Sequence, residues 1–220
     1  MELIEAIQNR KSIRAFKPDP VPRSVLEEII KIATRAPSSM NTQPWELYVV
    51  GGDALTNIGR ENVEKMMAGT TPGSEMGGAG YQGIYRERQV ALAIQLFQSM
   101  GITREDKPKR SAWMQRGFRS FDSPVAIFVC YDKSLPSSAV FDIGSLSQTI
   151  ALVALKYDLG TCIQSQTTTY PDVVRKYTGI PENKLIYICL SIGYPDDDFA
   201  ANSVVTKREP IENIVKWCGI

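Results

Sequence analysis

Apolar residues follow two kinds of pattern along this chain, one typical of helices and one of buried strands. The first predicts helices over six segments: Leu3–Arg10, Ser24–Ala36, Ala54–Met67, Ile84–Met100, Ile143–Tyr157 and Tyr170–Tyr177. Nearly continuous apolar runs predict three strands: Trp45–Val50, Pro124–Tyr131 and Leu185–Ile192. Because helices alternate with fewer strands, the pattern predicts an α+β sandwich.

Two of these helices carry further signals. Ser24 and Glu27 have the spacing of a capping box, and Pro37 ends the same helix because the residue before a proline resists the helical conformation. The Ile143–Tyr157 segment is apolar around most of its circumference, which is typical of a core or an interface. Gly160 then either ends this helix or forms a turn that directs backbone N–H groups into a cleft.

The middle of the chain is poor in packing signals. Six glycines lie within Gly69–Gly83, namely Gly69, Gly73, Gly77, Gly78, Gly80 and Gly83, and we interpret this stretch as a mobile lid. The following Lys107–Arg119 segment is basic and irregular. No repeat or linker divides the 220 residues, so we expect one domain, 1–220, with a substrate lid or insert over about residues 69–119.

The composition narrows the possible chemistry. The chain has no histidine, which excludes Ser-His-Asp and Cys-His catalysis and histidine-ligated metals, so we expect no metal site. Its four cysteines are far apart, form no CxxC pair and are expected to be reduced: Cys130, Cys162, Cys189 and Cys218. An enzyme with this composition needs an organic cofactor for difficult chemistry.

Charge and hydropathy bear on partners and location. The formal net charge of +1 gives no reason to expect a nucleic acid or an anionic membrane as a partner. The N-terminal segment lacks the apolar centre of a signal peptide, and the longest apolar run is too short to cross a bilayer. We therefore expect a cytoplasmic protein.

Four polar segments are candidates for a binding site. Asn9–Arg14 places Arg10, Lys11, Ser12 and Arg14 where they either bind a phosphate and a polar ring or form a solvated basic turn. Ala36–Trp45 is dense in hydroxyls and amides, and Gly160–Ser165 and Lys207–Pro210 are the other two segments. Taken singly, each is also compatible with an ordinary turn or surface segment.

The order of these segments is more specific than any one of them. An N-terminal R-x-S-x-R, then P-S-S-x-N-x-Q-P-W, then a late G-Y-P and K-R-x-P together resemble the nitroreductase family over nearly the whole chain. The resemblance implies a fold with a central, mostly antiparallel sheet flanked by helices. It also implies a homodimer with two FMN sites at the subunit interface, and NADH or NADPH as the electron donor.

The resemblance also implies roles for individual residues. Arg10, Ser12 and Arg208, with Lys11 and Lys207 nearby, would hold the FMN phosphate and ribityl chain, and Arg14 would face the pyrimidine side of the ring. Backbone N–H groups of Gln164 and Ser165 would face the flavin N5 and O4, and no protein side chain would act as a catalyst. The partner subunit would supply four residues: Pro37, Ser38, Ser39 and Asn41. Two departures from the family pattern are the adjacent Lys207–Arg208 pair and Gln164, where some relatives carry an acid.

The implied activity is transfer of hydride from NAD(P)H through FMN to a nitroaromatic or similar electron-poor molecule by a ping-pong mechanism. Candidate substrate-contacting residues are Tyr81, Tyr85, Arg88, Trp113 and Phe118. Four arginines, Arg86, Arg88, Arg110 and Arg116, either recognise a substrate carboxylate or only solvate helices. Two alternatives remain open: a reductive dehalogenase similar to deiodinases, and a non-catalytic FMN-binding protein.

Overall fold

The computed structural model describes residues 2–77 and 80–220. The helices are α1 (Leu3–Asn9), α2 (Arg23–Ala33), α3 (Gly52–Met67), α4 (Gly83–Ser99), α5 (Lys107–Phe118), α6 (Ala139–Ala154), α7 (Pro171–Thr178) and α8 (Ile211–Ile214). The strands are β1 (Trp45–Gly51), β2 (Val125–Asp132), β3 (Gly160–Gln164) and β4 (Lys184–Gly193). Short 3-10 turns lie at Ser39–Asn41, Ser120–Asp122, Leu155–Tyr157 and Ala200–Ser203.

The four strands form one antiparallel sheet in the order β1-β2-β4-β3. The two central strands, β2 and β4, are the apolar runs that the sequence predicts to be buried on both faces, and most of their residues are indeed buried. A register shift between Val129 and Cys130 marks a bulge in their pairing. The predicted fold, an α+β sandwich with an antiparallel central sheet, is confirmed.

Helices cover both faces of the sheet, so two apolar layers flank it. On one face, α2 and α6 pack on alternate residues of β2 and β4; the core there includes Ile29, Ile143, Leu146, Ile150, Ile127, Val129, Leu190 and Ile192. On the other face, α3 and α7 cover Phe128 and Ile186, and the buried thiols of Cys130 and Cys189 pack among them. The 139–157 helical stretch has the length and hydropathy of a membrane span, but its apolar stripe lies in this core. Of the two predicted locations, a core or an interface, the structure shows the core for this apolar stripe.

The second helix begins differently from the prediction. Pro22 precedes α2, which starts at Arg23, so Ser24 lies inside the first turn and makes no capping hydrogen bond. Glu27 instead accepts a hydrogen bond from Arg23 Nε at 2.7 Å. The predicted capping box is therefore wrong, because the N-cap of α2 is Pro22, two residues before Ser24. In contrast, the basic segment Lys107–Phe118 is a regular helix, capped by Asp106, which accepts the Lys109 N–H at 3.1 Å.

Gly160 does not end a helix but begins β3, a strand that the sequence pattern does not reveal. The preceding helical segment ends at Asp158, which adopts the left-handed conformation with φ 56°. Glycine is needed at position 160 for close packing, since a Cβ there would lie 2.4 Å from Ile13 Cγ1 and 3.0 Å from Pro195 Cγ. The N-terminal segment that contains Ile13 can approach β3 only because residue 160 has no side chain.

A Gly160→Ala variant is therefore expected to be less stable by about 1–3 kcal/mol, because the added methyl must displace Ile13. Thermal unfolding followed by circular dichroism should show a melting temperature lower by several degrees. Gly80→Ala is the matched control, since a Cβ at Gly80 meets no atom within 4 Å. Equal melting temperatures for the two variants would refute the packing role of Gly160.

The first part of the glycine-rich stretch is anchored, in contrast to the predicted mobile lid. Gly73 N–H donates to Thr169 O at 3.0 Å, and Tyr170 Oη donates to Thr70 O at 3.1 Å. Glu75 lies largely buried and accepts Arg175 Nη2 at 3.0 Å and the Ile186 N–H at 2.9 Å. The segment from Thr70 to Glu75 is thus tied to α7 and β4, because Glu75 supplies the packing group that the glycines lack. Gly78 and Ala79, also part of the predicted lid, lie outside the described residues.

The environment of Glu75 predicts a pH-dependent contribution to stability. Burial acts to raise the pKa of Glu75, but hydrogen bonds from Ile186 and Arg175 and the Lys133 ammonium at 3.1 Å outweigh it, so the pKa lies below its ordinary value of 4.5. A carboxylate with a lowered pKa stabilises the fold above its unfolded pKa, and this stabilisation is lost as the pH falls through the folded pKa.

Glu75→Gln is accordingly expected to cost about 2 kcal/mol at neutral pH, because one buried ion-paired oxygen is lost. Urea unfolding at a series of pH values should show the difference from the unmodified protein shrinking below about pH 4.5. Glu64→Gln, which breaks only an exposed pair with Arg60, should have little effect at any pH. A Glu75→Gln deficit that stays constant down to pH 3 would contradict the electrostatic explanation.

Candidate functional site

The N-terminal basic segment runs beside β3 at the edge of the sheet. Ser12 forms a parallel bridge with Thr161, and Ile13 N–H donates to Thr161 O at 2.9 Å. Ile13 is buried, whereas the side chains on either side of it, Ser12 and Arg14, are partly exposed. This alternation, imposed by extended backbone, sends Ser12 and Arg14 outward together.

A groove of about 670 Å³ brings the two ends of the chain together. One wall is the end of α1 and the two residues after it, and the other wall lies near residue 206. The lining residues are Ile7, Gln8, Asn9, Arg10, Lys11, Val205, Thr206 and Arg208. Within the part of the chain that the structure describes, no carboxylate lies within ion-pair distance of Arg10, Lys11 or Arg208. Among the described residues, Arg208 donates only to Thr206 and to the Lys207 carbonyl, at 2.7–3.2 Å. Three cations that converge without an acidic partner form a site suited to an anion.

Lys207 lies at an adjoining groove of about 650 Å³, which also contains Arg208. Arg88 of α4 reaches this second groove and pairs with Glu209 at 2.8 Å. Of the two adjacent cations, Arg208 therefore belongs to the groove that contains Arg10, and Lys207 does not line it.

Cys162 is buried behind the outward-facing residues of the N-terminal segment. Burial raises the pKa of the Cys162 thiol to about 11, although the charge of Arg14, the Ser12 hydroxyl and the charge of Arg10 act in the opposite direction. The thiol is therefore neutral near pH 7, which makes it a poor nucleophile.

The Gln164 side chain turns into the protein. Gln164 Oε1 accepts the Thr167 N–H at 3.0 Å, and Gln164 Nε2 donates to Thr167 Oγ1, so the side chain closes the turn that follows β3. Thr167 Oγ1 also donates to Gly117 O at 3.1 Å, and Asn62 Nδ2 donates to Thr167 O at 2.9 Å. The Gln164 side chain is therefore already hydrogen-bonded within the protein. The backbone of Gln164 and the partly exposed Ser165 remain to face a ligand.

The polar loop before β1 lies far from the basic groove of its own chain. Its 3-10 turn is held by Asp142 Oδ2, which accepts the Ser39 N–H at 3.2 Å, near the start of α6. Leu155, beyond the other end of α6, lines a cavity that contains Arg10 and Lys11. The helical rise between Asp142 and Leu155 is about 20 Å. One chain thus does not bring Pro37, Ser38, Ser39 and Asn41 together with Arg10 and Arg208.

This loop nevertheless has a fixed conformation. Met40, Asn41 and Gln43 all have positive φ angles, of 51°, 59° and 46°, which residues other than glycine adopt at an energetic cost. Ser38 Oγ accepts the Gln43 N–H at 3.0 Å, and the Met40 side chain is almost fully exposed at the tip. The loop therefore projects polar groups and one apolar side chain outward.

The five candidate substrate residues do not form one site within a chain. Phe118 is buried and packs against Tyr170 in the core at a centroid distance of 6.1 Å, so its prediction as a substrate-contacting wall is wrong. Tyr81 and Tyr85 are about two-thirds exposed, near the start of α4. Trp113 stacks on Phe199 and lines a separate cavity of about 420 Å³. Arg88, as described, pairs with Glu209.

The arginines considered for carboxylate recognition are engaged within the chain. Arg86 Nη1 donates to Gln89 at 2.6 Å, Arg110 lies over the Phe97 ring at 4.3 Å, and Arg116 pairs with Asp122 at 3.1 Å. These contacts favour the interpretation that the arginines support the helices and loops around them.

Asn202 is a residue of the site region that the sequence does not indicate. It is almost fully buried, yet its side chain accepts the Arg14 N–H at 2.6 Å and donates to Ala15 O and Asp196 O, both at 2.8 Å. No periodic pattern or motif indicates Asn202, because it lies in a short 3-10 turn. In two of its three hydrogen bonds the partner is about 190 residues away in sequence.

Comparison with known proteins gives a consistent result. A family model described as the nitroreductase family matches residues 7–194. The 4-nitrobenzoate reductase of Nocardioides sp. (strain LMS-CY) is 31% identical over 230 aligned residues, which cover 99% of this chain and 90% of that protein.

Two solved structures extend the similarity to the whole fold. The FMN and NADPH-dependent nitroreductase NfnB from Sphigopyxis sp. strain HMH superposes with a TM-score of 0.95 at 28% identity, covering 100% of both chains. The FMN-dependent nitroreductase NfnB from Mycobacterium smegmatis, in complex with NADPH, gives a TM-score of 0.91 at 26% identity, covering 99% of this chain and 100% of that chain.

Proposed function

The chain belongs to the nitroreductase family and is an FMN-dependent NAD(P)H oxidoreductase, and from that premise we propose that it reduces nitroaromatic molecules by a ping-pong mechanism. The observation that carries the assignment of the cofactor site is the convergence of Arg10, Lys11 and Arg208 on one groove without an acidic partner. The FMN phosphate is a dianion that such a group of cations can neutralise.

The residues present fit FMN in two further respects. Ser12 and Arg14 project outward from the same extended segment, beside the groove, where they can reach the ribityl chain and the ring. The backbone N–H groups around Gln164 and Ser165 lie at the end of the adjacent strand, and the internal bonds of Gln164 hold that turn rigid. When bound, FMN supplies the centre that accepts hydride from NAD(P)H and passes it to the acceptor.

We propose that the loop of Pro37, Ser38, Ser39 and Asn41 completes the site of a second copy of the chain in a homodimer. Its support is the separation of this loop from the basic groove of its own chain and its fixed, outward conformation. Exposed apolar side chains on three elements also favour burial against a partner: Leu3, Ile4 and Ile7 of α1, Ile84, Val90 and Ile94 of α4, and Ile211, Ile214 and Trp217 near the C-terminus. We further propose a cytoplasmic location, which is supported by the free thiols of all four cysteines.

The kinetic mechanism is open to a direct test. If NAD(P)H and the nitro compound occupy the same position in turn, initial rates measured over a grid of both concentrations should give parallel lines in double-reciprocal plots. Intersecting lines would show that both molecules bind at once and would refute the ping-pong proposal, while leaving the family assignment intact.

The preferred acceptor is a separate prediction. Arg88, Arg110 and Arg116 already contact other side chains of the same chain. A site that recognises a substrate carboxylate would therefore need a different cation, supplied in the dimer. We expect 4-nitrobenzoate and nitrobenzene to have kcat/KM values within about tenfold of each other, since one solvent-exposed ion pair contributes at most about 1 kcal/mol. A preference for 4-nitrobenzoate of a hundredfold or more would contradict this and would indicate a dedicated carboxylate contact.

The dehalogenase alternative receives no support from the glycine-rich stretch. A resemblance to deiodinases would imply lid acids that contact a zwitterionic substrate, and Glu75 is the acid found between Gly69 and Gly83. Glu75 is already bound by Arg175, Lys133 and the Ile186 N–H. It is therefore a structural anchor and not a substrate ligand.

A further inference from the structure

The backbone of Arg14, in the N-terminal basic segment, is held on both sides by side chains from distant parts of the chain. Its N–H donates to Asn202 Oδ1 at 2.6 Å, and its carbonyl accepts Arg116 Nη2 at 3.4 Å. We propose that Asn202 and Arg116 are positioning residues that fix Arg14 beside the flavin ring and thereby set the reduction potential of the bound FMN. This inference rests on the proposed function.

The side-chain amide of Asn202 makes three hydrogen bonds. One oxygen accepts from Arg14, and the Nδ2 group donates to Ala15 O and to Asp196 O. Asp196 N–H in turn donates to Ala15 O at 3.1 Å. A buried amide that joins two chain segments in this way removes the freedom of both, because any movement leaves buried polar groups unpaired.

Arg116 approaches Arg14 from the other side, at the end of α5. Its guanidinium lies over the Phe199 ring at 4.7 Å and pairs with Asp122 at 3.1 Å, so it is itself held in place. Asp122 is the last of three consecutive residues with positive φ, Ser120, Phe121 and Asp122, at 54–57°. Backbone strain of this kind persists where surrounding contacts require it, and here it presents Asp122 to Arg116.

The consequence concerns charge near the ring. With both backbone groups held, and with Arg14 Nη1 also bonded to Ser12 O at 3.3 Å, the direction of the Arg14 side chain is restricted. A fixed cation stabilises the negatively charged reduced flavin more than the neutral oxidised flavin, whereas a cation that moves into solvent is screened. Loosening Arg14 should therefore lower the reduction potential of FMN even though the Arg14 side chain is still present.

The test is the reduction potential of the FMN holoenzyme, measured by dye-coupled titration. Asn202→Ala and Arg116→Met should each weaken the preference for reduced over oxidised FMN by roughly tenfold, equivalent to about 30 mV for a two-electron couple. If Asn202→Ala does not fold, Arg116→Met carries the test, since Arg116 is a partly exposed side chain. Arg119→Met is the matched control, because Arg119 also pairs with Asp122 but makes no contact with Arg14 in the described structure.

The decisive comparison repeats these substitutions in an Arg14→Met background. If Asn202 and Arg116 act through Arg14, the substitutions should cause no further change in potential there, even where they lower thermal stability. An undiminished change in that background, or an equal change in Arg119→Met, would overturn the inference. If the unmodified protein takes up no FMN, the proposed function is overturned as well. If Asn202→Ala and Arg116→Met bind FMN at an unaltered potential, only the inference is overturned.

Discussion

Replacing Arg10 and Arg208 together by alanine is expected to abolish tight FMN binding while leaving the fold intact. Both side chains line the same groove at the edge of the molecule, and neither pairs with an acid among the described residues. Each charge-assisted hydrogen bond to a phosphate contributes about 1.5–3 kcal/mol. Loss of both should therefore weaken FMN binding by about 10²- to 10⁴-fold.

The control removes the same amount of charge elsewhere. Arg23→Ala with Arg104→Ala takes two exposed arginines from the surface outside the groove and should leave the FMN dissociation constant within about twofold. Fluorescence titration of the apoprotein with FMN, compared at equal ionic strength, measures both variants. If the Arg10 and Arg208 double variant binds FMN as tightly as the control, the phosphate is held elsewhere and the assignment of the groove is wrong.

Two variants that are each unable to bind FMN are expected to regain binding when their subunits are mixed. One variant carries Arg10→Ala and Arg208→Ala, and the other carries Ser39→Glu, which places a negative charge in the loop that we assign to the partner's site. In a mixed dimer one site combines both defects and the other combines two intact halves. Random exchange should therefore restore roughly a quarter of the FMN sites.

This complementation separates a shared site from one built within a single chain. Subunits are exchanged by partial denaturation and refolding, and bound FMN is counted after gel filtration. Each variant carried through the same treatment alone is the control. Recovery of no sites after proven exchange would mean that the loop and the groove serve the same chain, in conflict with their positions near opposite ends of α6.

The sequence pattern predicts the parts of the fold that depend on local periodicity. The strands β1, β2 and β4 and most helices fall where apolar spacing predicts them, because those segments bury one face or both. Strand β3 escapes detection since only five residues form it and it begins at Gly160, which is selected by contact with Ile13 and not by strand propensity. The capping box is wrong for a related reason, because the N-cap of α2 is Pro22, two residues before the Ser24 that the sequence signal implies.

The candidate site was accessible from the sequence only through motifs. Arg208 lies nearly 200 residues after the adjacent Arg10 and Lys11, and their convergence follows from the path of the chain and from no local rule. The buried polar residues of the site region could not be predicted from the sequence. Asn202 and Thr167 occur in turns, where any residue type is compatible with the pattern. Phe118 shows the opposite error, because an aromatic residue at the end of a basic helix is predicted equally well as a ligand wall or as part of the core.

The central claim, that this chain binds FMN and uses it to accept hydride from NAD(P)H, is tested most directly by an absorbance spectrum of the purified protein during anaerobic titration with NADPH and then with NADH. We expect a flavin band near ~450 nm that bleaches on addition of the donor and returns when 4-nitrobenzoate is added. A colourless protein that takes up no added FMN, or a flavin band that neither donor bleaches, would contradict the claim.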